Sequence, residues 1–169
     1  MISTDYVQTM AAYNRWQNGS LYAAAAALSD AERKRPRGAF FGSIHGTLNH
    51  IVWGDRIWLS RFSDTVPPAI STMAETPNMH PEWDDLVAAR NACDEDIEAW
   101  ALGLDAAWLK GDLTWTSAAL KREFTKPLWL LVSHMFNHQT HHRGQTHAML
   151  TAAGARLDDT DIPFMPPST

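Results

Sequence analysis

Cysteine is almost missing. Cys93 is the single thiol in 169 residues, so no disulfide can form within the chain, which suits a reducing compartment. Long apolar runs are missing too: no segment approaches the roughly 18 consecutive apolar residues of a membrane span. Met1 to Asp5 lack the basic and apolar regions of a secretory leader. A cytoplasmic protein with no membrane association is expected. Positive charge is in deficit, with 14 Lys and Arg against 19 Asp and Glu and a net charge of −5. Without a basic stripe to displace counterions from phosphates, nucleic acid is not an expected partner. The one basic cluster, Arg33-Lys34-Arg35-Pro36-Arg37, falls in a connecting loop and reads as a solvated run.

What is present is aromatic and helical. Eight tryptophans bring large apolar areas to a short chain. At this length a single domain spanning residues 1–169 is expected, large enough for a real core. Tyr6, Met10, Tyr13, Trp16 and Leu21 recur at helical spacing and lead into an alanine run, predicting a first helix from Thr4 to Leu28. Ser43 is a good N-cap for a second, running to Phe62, whose apolar residues spread around most of its circumference. Ser63 to Pro81 is proline-rich and reads as a long loop of the kind that often serves function. A third helix is expected from Pro81 to Leu104. Asp112 to Lys126 alternates apolar residues with threonines and predicts a short hairpin-like excursion. Pro127 then opens a fourth helix that ends at Ala153, with Gly154 as its stop and an extended tail from Leu157 to Thr169. Four long helices with one long crossover loop predict an all-α four-helix bundle.

The fourth helix carries five of the eight histidines: His134, His138, His141, His142 and His147. At about 100° per residue, His138 and His142 lie one turn apart on one face, so their imidazoles can meet at a single metal ion. HExxH helices use the same spacing, although the glutamate is absent here. His134 and His138 form a rival pair, so the spacing selects His138 more firmly than its partner. On the second helix, His50 points within roughly 80° of Trp53, Gly54, Ile57 and Trp58, whereas His45 lies some 140° away on the more polar side. His50 is therefore the expected inward histidine. Gly46 and Gly54 on its face leave room for a close-packed site or for helix packing. Three neutral imidazoles around a divalent ion leave a coordination position open, as in catalytic rather than structural sites. Asp55, Glu123 and Gln145 are candidates for hydrogen bonds to the imidazoles' other nitrogens.

Asn137-His138-Gln139-Thr140-His141-His142-Arg143-Gly144-Gln145, preceded by His134, resembles the signature helix of the DinB family, the DinB/YfiT-like metalloenzymes. Gly46-Thr47-Leu48-Asn49-His50-Ile51 leading to Trp58, the opening Tyr13-Asn14-Arg15-Trp16 and the closing Asp161-Ile162-Pro163 resemble it as well. The resemblance implies an up-down-down-up arrangement of the helices, often in a homodimer. It implies a metal site on His50, His138 and His142, with His141 not a ligand and Arg143 and Gln145 as motif residues. Nickel or zinc is the ion it implies. For some relatives it implies transferase or isomerase activity with a low-molecular-weight thiol. Three readings of function follow: a metal-dependent enzyme acting on a small molecule, a non-enzymatic metal or small-ligand binding protein of the stress response, and a module in which the ion only staples helices. Cys93, among acidic residues, is not expected to be a reactive nucleophile.

Overall fold

In the computed structural model, which describes residues 1–117 and 120–167, the helix boundaries follow local capping chemistry. Ser3 accepts from the Tyr6 amide at 3.1 Å and starts α1, Thr4–Ala26. Ser29 caps the short α2, Asp30–Lys34. Gly42, at φ +78, turns the chain into Ser43, which accepts from the Gly46 amide at 3.0 Å and starts α3, Ile44–Phe62. The following loop holds a 3₁₀ turn, Met73–Asn78. α4 is Trp83–Leu102, so it begins two residues after Pro81. Glu82 is extended at φ −89, ψ 140, and the helix starts only beyond it. Strands β1, Asp112–Ser117, and β2, Arg122–Pro127, pair antiparallel with Trp115 opposite Phe124, which is the expected hairpin. α5, Leu128–Ala152, ends before Gly154 at φ +87. The tail is extended apart from a 3₁₀ turn at Ile162–Phe164, and it is tied to α1 where Tyr13 donates to the Thr160 carbonyl at 2.8 Å. Residues 168–169 of that expected tail lie outside the described residues.

The basic cluster corrects one expectation. Arg33 and Lys34 belong to α2 rather than to a loop. Arg33 is buried, donates to the Leu28 and Ala25 carbonyls, and lies 4.5 Å over the Trp83 ring. Lys34 pairs with Asp30, and Arg35 and Arg37 both reach Glu32. The four cations share two carboxylates, so the run is partly neutralised locally.

The fold is mostly helical with one small two-stranded sheet. α1 packs on α4 and α5, and α3 packs on the same two helices. Two apolar clusters result: one built around Leu59, Ile97, Val132 and Phe136, the other around Leu21, Ile44, Ile51 and Leu150. On every long helix, buried polar residues lie at or beside the boundary between the positions belonging to the two clusters: Asn14 and Asn18 on α1, Asp55 on α3, Arg90 and Asp94 on α4, Gln139 and Arg143 on α5. Arg90 donates to Asp55 at 2.6 Å and pairs with Asp94 at 2.8 Å. Gln139 donates to Asp55 at 2.9 Å, Asn14 and Asn18 donate to Asp94, and Arg143 donates to Asn14. Burial raises the Asp55 carboxyl above the usual range, against the pull of Arg90 and Gln139. Through these contacts the polar layer links all four long helices, and removing one partner from groups this deep is costly.

Candidate metal centre

The site forms where the middle of α3 meets the middle of α5. His50 is 2% exposed, and His138 and His142 stand one turn apart on the facing side of α5. The Nε2 atoms of His50 and His138 are 3.1 Å apart, and one nitrogen from each of the three rings lies within 4.8 Å of the others. Ligand nitrogens at about 2.0–2.1 Å from a tetrahedral zinc would stand roughly 3.4 Å apart, so this donor set fits one divalent ion.

Each ring is held by a different device. His50 Nδ1 is 3.0 Å from the Thr76 hydroxyl, which the 3₁₀ turn brings into the core, and its ring stacks on Phe41 at 3.7 Å. His142 Nδ1 is 2.8 Å from Gln145 Oε1. His138 is held by shape: a Cβ at Gly54 would lie 2.6 Å from His138 Cε1. These outer contacts leave the Nε2 side of His50 turned toward His138 and orient the rings before any ion arrives. Burial first, and then the neighbouring imidazoles, push His50 and His138 down to about 3, and burial also lowers His142. All three are therefore neutral near pH 7, the form that offers a lone pair to a metal.

The three histidines open onto a cavity of about 930 Å³ between α3, α5, the loop after α3 and the hairpin. Its lining is largely aromatic and aliphatic, with Trp53, Trp58, Trp115 and Phe124 prominent. His134 and His141 also border it without joining the cluster. His134 instead packs edge-on to Trp58 at 5.1 Å, and the histidines whose nitrogens the structure brings together are His50, His138 and His142.

Several expectations change here. His45 is not on a polar side: it is 2% exposed and bonds through Nε2 to the His80 carbonyl at 2.9 Å, because the segment before α4 covers that face of α3. Gly46 serves packing, since a Cβ there would meet the Phe41 carbonyl at 2.4 Å. Of the three suggested outer partners only Gln145 contacts a site histidine; Asp55 belongs to the polar layer, and Glu123 is exposed on β2. Thr76 and Phe41 had no periodic signal in the sequence that would have marked them. Arg143 turns away toward α1, where it is buried beside Asn14. Cys93 is buried, and burial more than its acidic neighbours pushes the thiol up to about 12.

The model of the DinB family matches residues 1–169. The crystal structure of a DinB-like protein from Bacillus cereus ATCC 10987 superposes with a TM-score of 0.59 at 17% identity, covering 85% of this chain and 90% of that one. No curated protein matches the sequence significantly.

Proposed function

Because the chain belongs to the DinB family, we propose that it binds one divalent metal ion, nickel or zinc, through His50, His138 and His142 and acts as a metal-dependent enzyme on a small molecule. The observation that carries this reading is the convergence of three neutral imidazoles at the floor of a large cavity. A bound ion there would supply Lewis acidity, holding water or a low-molecular-weight thiol at a lowered pKa. The rest of the work falls to the chain. Thr76, Gln145 and Gly54 orient the imidazoles, and the aromatic walls exclude water from the reacting end of a substrate. In the favoured chemistry, S-transfer or isomerisation, a thiolate sulfur forms a bond to an electrophilic carbon of the substrate. In transfer the leaving group departs with its bonding electrons, and the thiol proton passes to solvent. In isomerisation the sulfur adds to one end of a carbon–carbon double bond, and the π pair moves onto the conjugated electron-accepting group. After rotation about the resulting single bond that pair returns and expels the sulfur as thiolate.

An up-down-down-up course of the four long helices is part of the same proposal, supported by the adjacency of α1 and of α3 to α4 and α5. So are a homodimeric state and a cytoplasmic location; no described helix is long and apolar enough to cross a membrane. One observation favours a second reading, a non-enzymatic binding protein: among the described residues no Asp or Glu lines the cavity to act as a general base. Cobalt substitution separates the two. Adding a thiol to the cobalt protein should produce a sulfur-to-cobalt charge-transfer band in the near ultraviolet. An unchanged spectrum with every thiol tried would remove thiol chemistry at the metal and favour the binding protein.

A further inference from the structure

The cavity above the three histidines has a single permanently charged residue in its described lining, Arg61. Its setting differs from that of most other arginines here. Arg15, Arg33, Arg35, Arg37, Arg56 and Arg90 each contact a carboxylate. Among the described residues Arg61 contacts none and donates no hydrogen bond. It is half-buried, and burial alone pulls its pKa below the ordinary value. Its guanidinium lies 4.5 Å from the Trp58 ring centroid and 5.9 Å from that of Trp115. A planar cation held against aromatic rings, with its donor fork unused, is preorganised to take a carboxylate in a bidentate pair.

Position along α3 sets the length of the occupant. A helix rises about 1.5 Å per residue, so Arg61 stands roughly 16 Å along the axis from His50 and roughly 10 Å from the level of Gly54, where His138 packs. Trp58 lies between those levels and packs edge-on to Trp115 at 5.6 Å, and Trp115 stacks on Phe124 at 5.5 Å, so the three rings form one continuous apolar surface in the lining. We propose that Arg61 binds the carboxylate of an elongated, largely apolar substrate whose body lies on Trp58, Trp115 and Phe124 and whose far end reaches the three histidines. A phosphate dianion fits less well, since one arginine with no second permanent cation in the lining leaves a charge uncompensated. Only the role of the far end rests on the metal-dependent reading; the carboxylate subsite does not.

The test compares 4-phenylbutyrate with its neutral analogue 4-phenylbutanol by calorimetry, on zinc-treated parent, Arg61→Gln, Arg61→Lys and His138→Ala. The parent should bind the carboxylate at least about tenfold more tightly than the alcohol, as one charge-assisted pair implies. That preference should fall to within about threefold in Arg61→Gln, return in part in Arg61→Lys, and survive in His138→Ala. Zinc content equal to the parent's in Arg61→Gln shows that the site is otherwise intact. An unchanged preference in Arg61→Gln overturns the subsite, and so does a parent that fails to bind the carboxylate or shows no preference. A preference lost in His138→Ala but kept in Arg61→Gln places the carboxylate on the metal, which overturns the subsite and leaves the metal reading standing. A parent that takes up no zinc yet prefers the carboxylate through Arg61 overturns the metal reading alone.

Discussion

Gly54→Ala should weaken metal binding by about 100-fold without weakening the fold. The added Cβ would sit 2.6 Å from His138 Cε1, 3.1 Å from Nδ1 and 3.6 Å from Nε2, where ordinary contact begins at 3.4 Å. The obstacle is a side-chain ring rather than backbone, so the imidazole can swing aside, by about 0.8 Å or more to reach normal contact. Metal–ligand distances tolerate only about 0.2 Å, so a ring displaced that far no longer serves as a ligand. A structural zinc site contributes about 10–16 kcal/mol over four ligands, which makes one ligand worth roughly 3 kcal/mol, or about 100-fold in affinity. The backbone effect runs the other way. Alanine stabilises a helix interior by about 0.5–1 kcal/mol relative to glycine, and Gly54 lies well inside α3. Competition against a chromophoric chelator should therefore show zinc affinity down by about 100-fold, while thermal unfolding of the metal-free variant is unchanged or shifted upward. Affinity within about threefold of the parent would refute the reasoning, because His138 would then not need the space that glycine leaves.

Three further outcomes are expected. Thr76→Val removes the hydroxyl that holds His50 Nδ1 and should weaken zinc binding by about 10–100-fold in the same competition assay; the unfolding midpoint of the metal-free protein checks that the fold is retained. In the metal-free protein His50 and His138 stay neutral down to about pH 3, against an ordinary histidine value of 6.5. Both states are neutral above pH 6.5; below it the unfolded chain takes up protons that the folded one refuses, so the melting temperature should fall between pH 6.5 and 3. A melting curve flat across that window, measured by circular dichroism, would contradict the neutral assignment. Asp55→Ala leaves Arg90 paired with Asp94 alone and the Gln139 amide without its acceptor, and at about 1–3 kcal/mol for each of two stranded buried donors should cost about 2–6 kcal/mol in urea unfolding; a loss below about 1 kcal/mol would mean the polar layer carries little stability.

The parts of the fold written in local chemistry were legible in the sequence. Ser43, Pro127 and Gly154 bound two helices because caps and stops act over three or four residues; helical spacing marked His138 but left His134 and His142 as alternative partners, and only the family resemblance chose His142. What spacing could not supply is the environment of each face. The angular argument placed His45 on a polar side because it measured direction only against the residues of its own helix. The chain before α4 closes over that face and turns a polar direction into an interior one. The polar layer escaped notice for a related reason. Asn14, Asp55, Arg90 and Arg143 are scattered over about 130 residues and make sense only once four helices bring them together. Thr76 likewise reaches His50 across a loop whose course no periodicity records.

The central claim, that His50, His138 and His142 hold one divalent ion, is tested most directly by elemental analysis of the purified parent beside His50→Ala and His138→Ala. The account predicts close to one equivalent of nickel or zinc per chain in the parent and its loss in both variants. A parent that is folded yet stays empty after incubation with both ions, or variants that retain the parent's metal content, would contradict it.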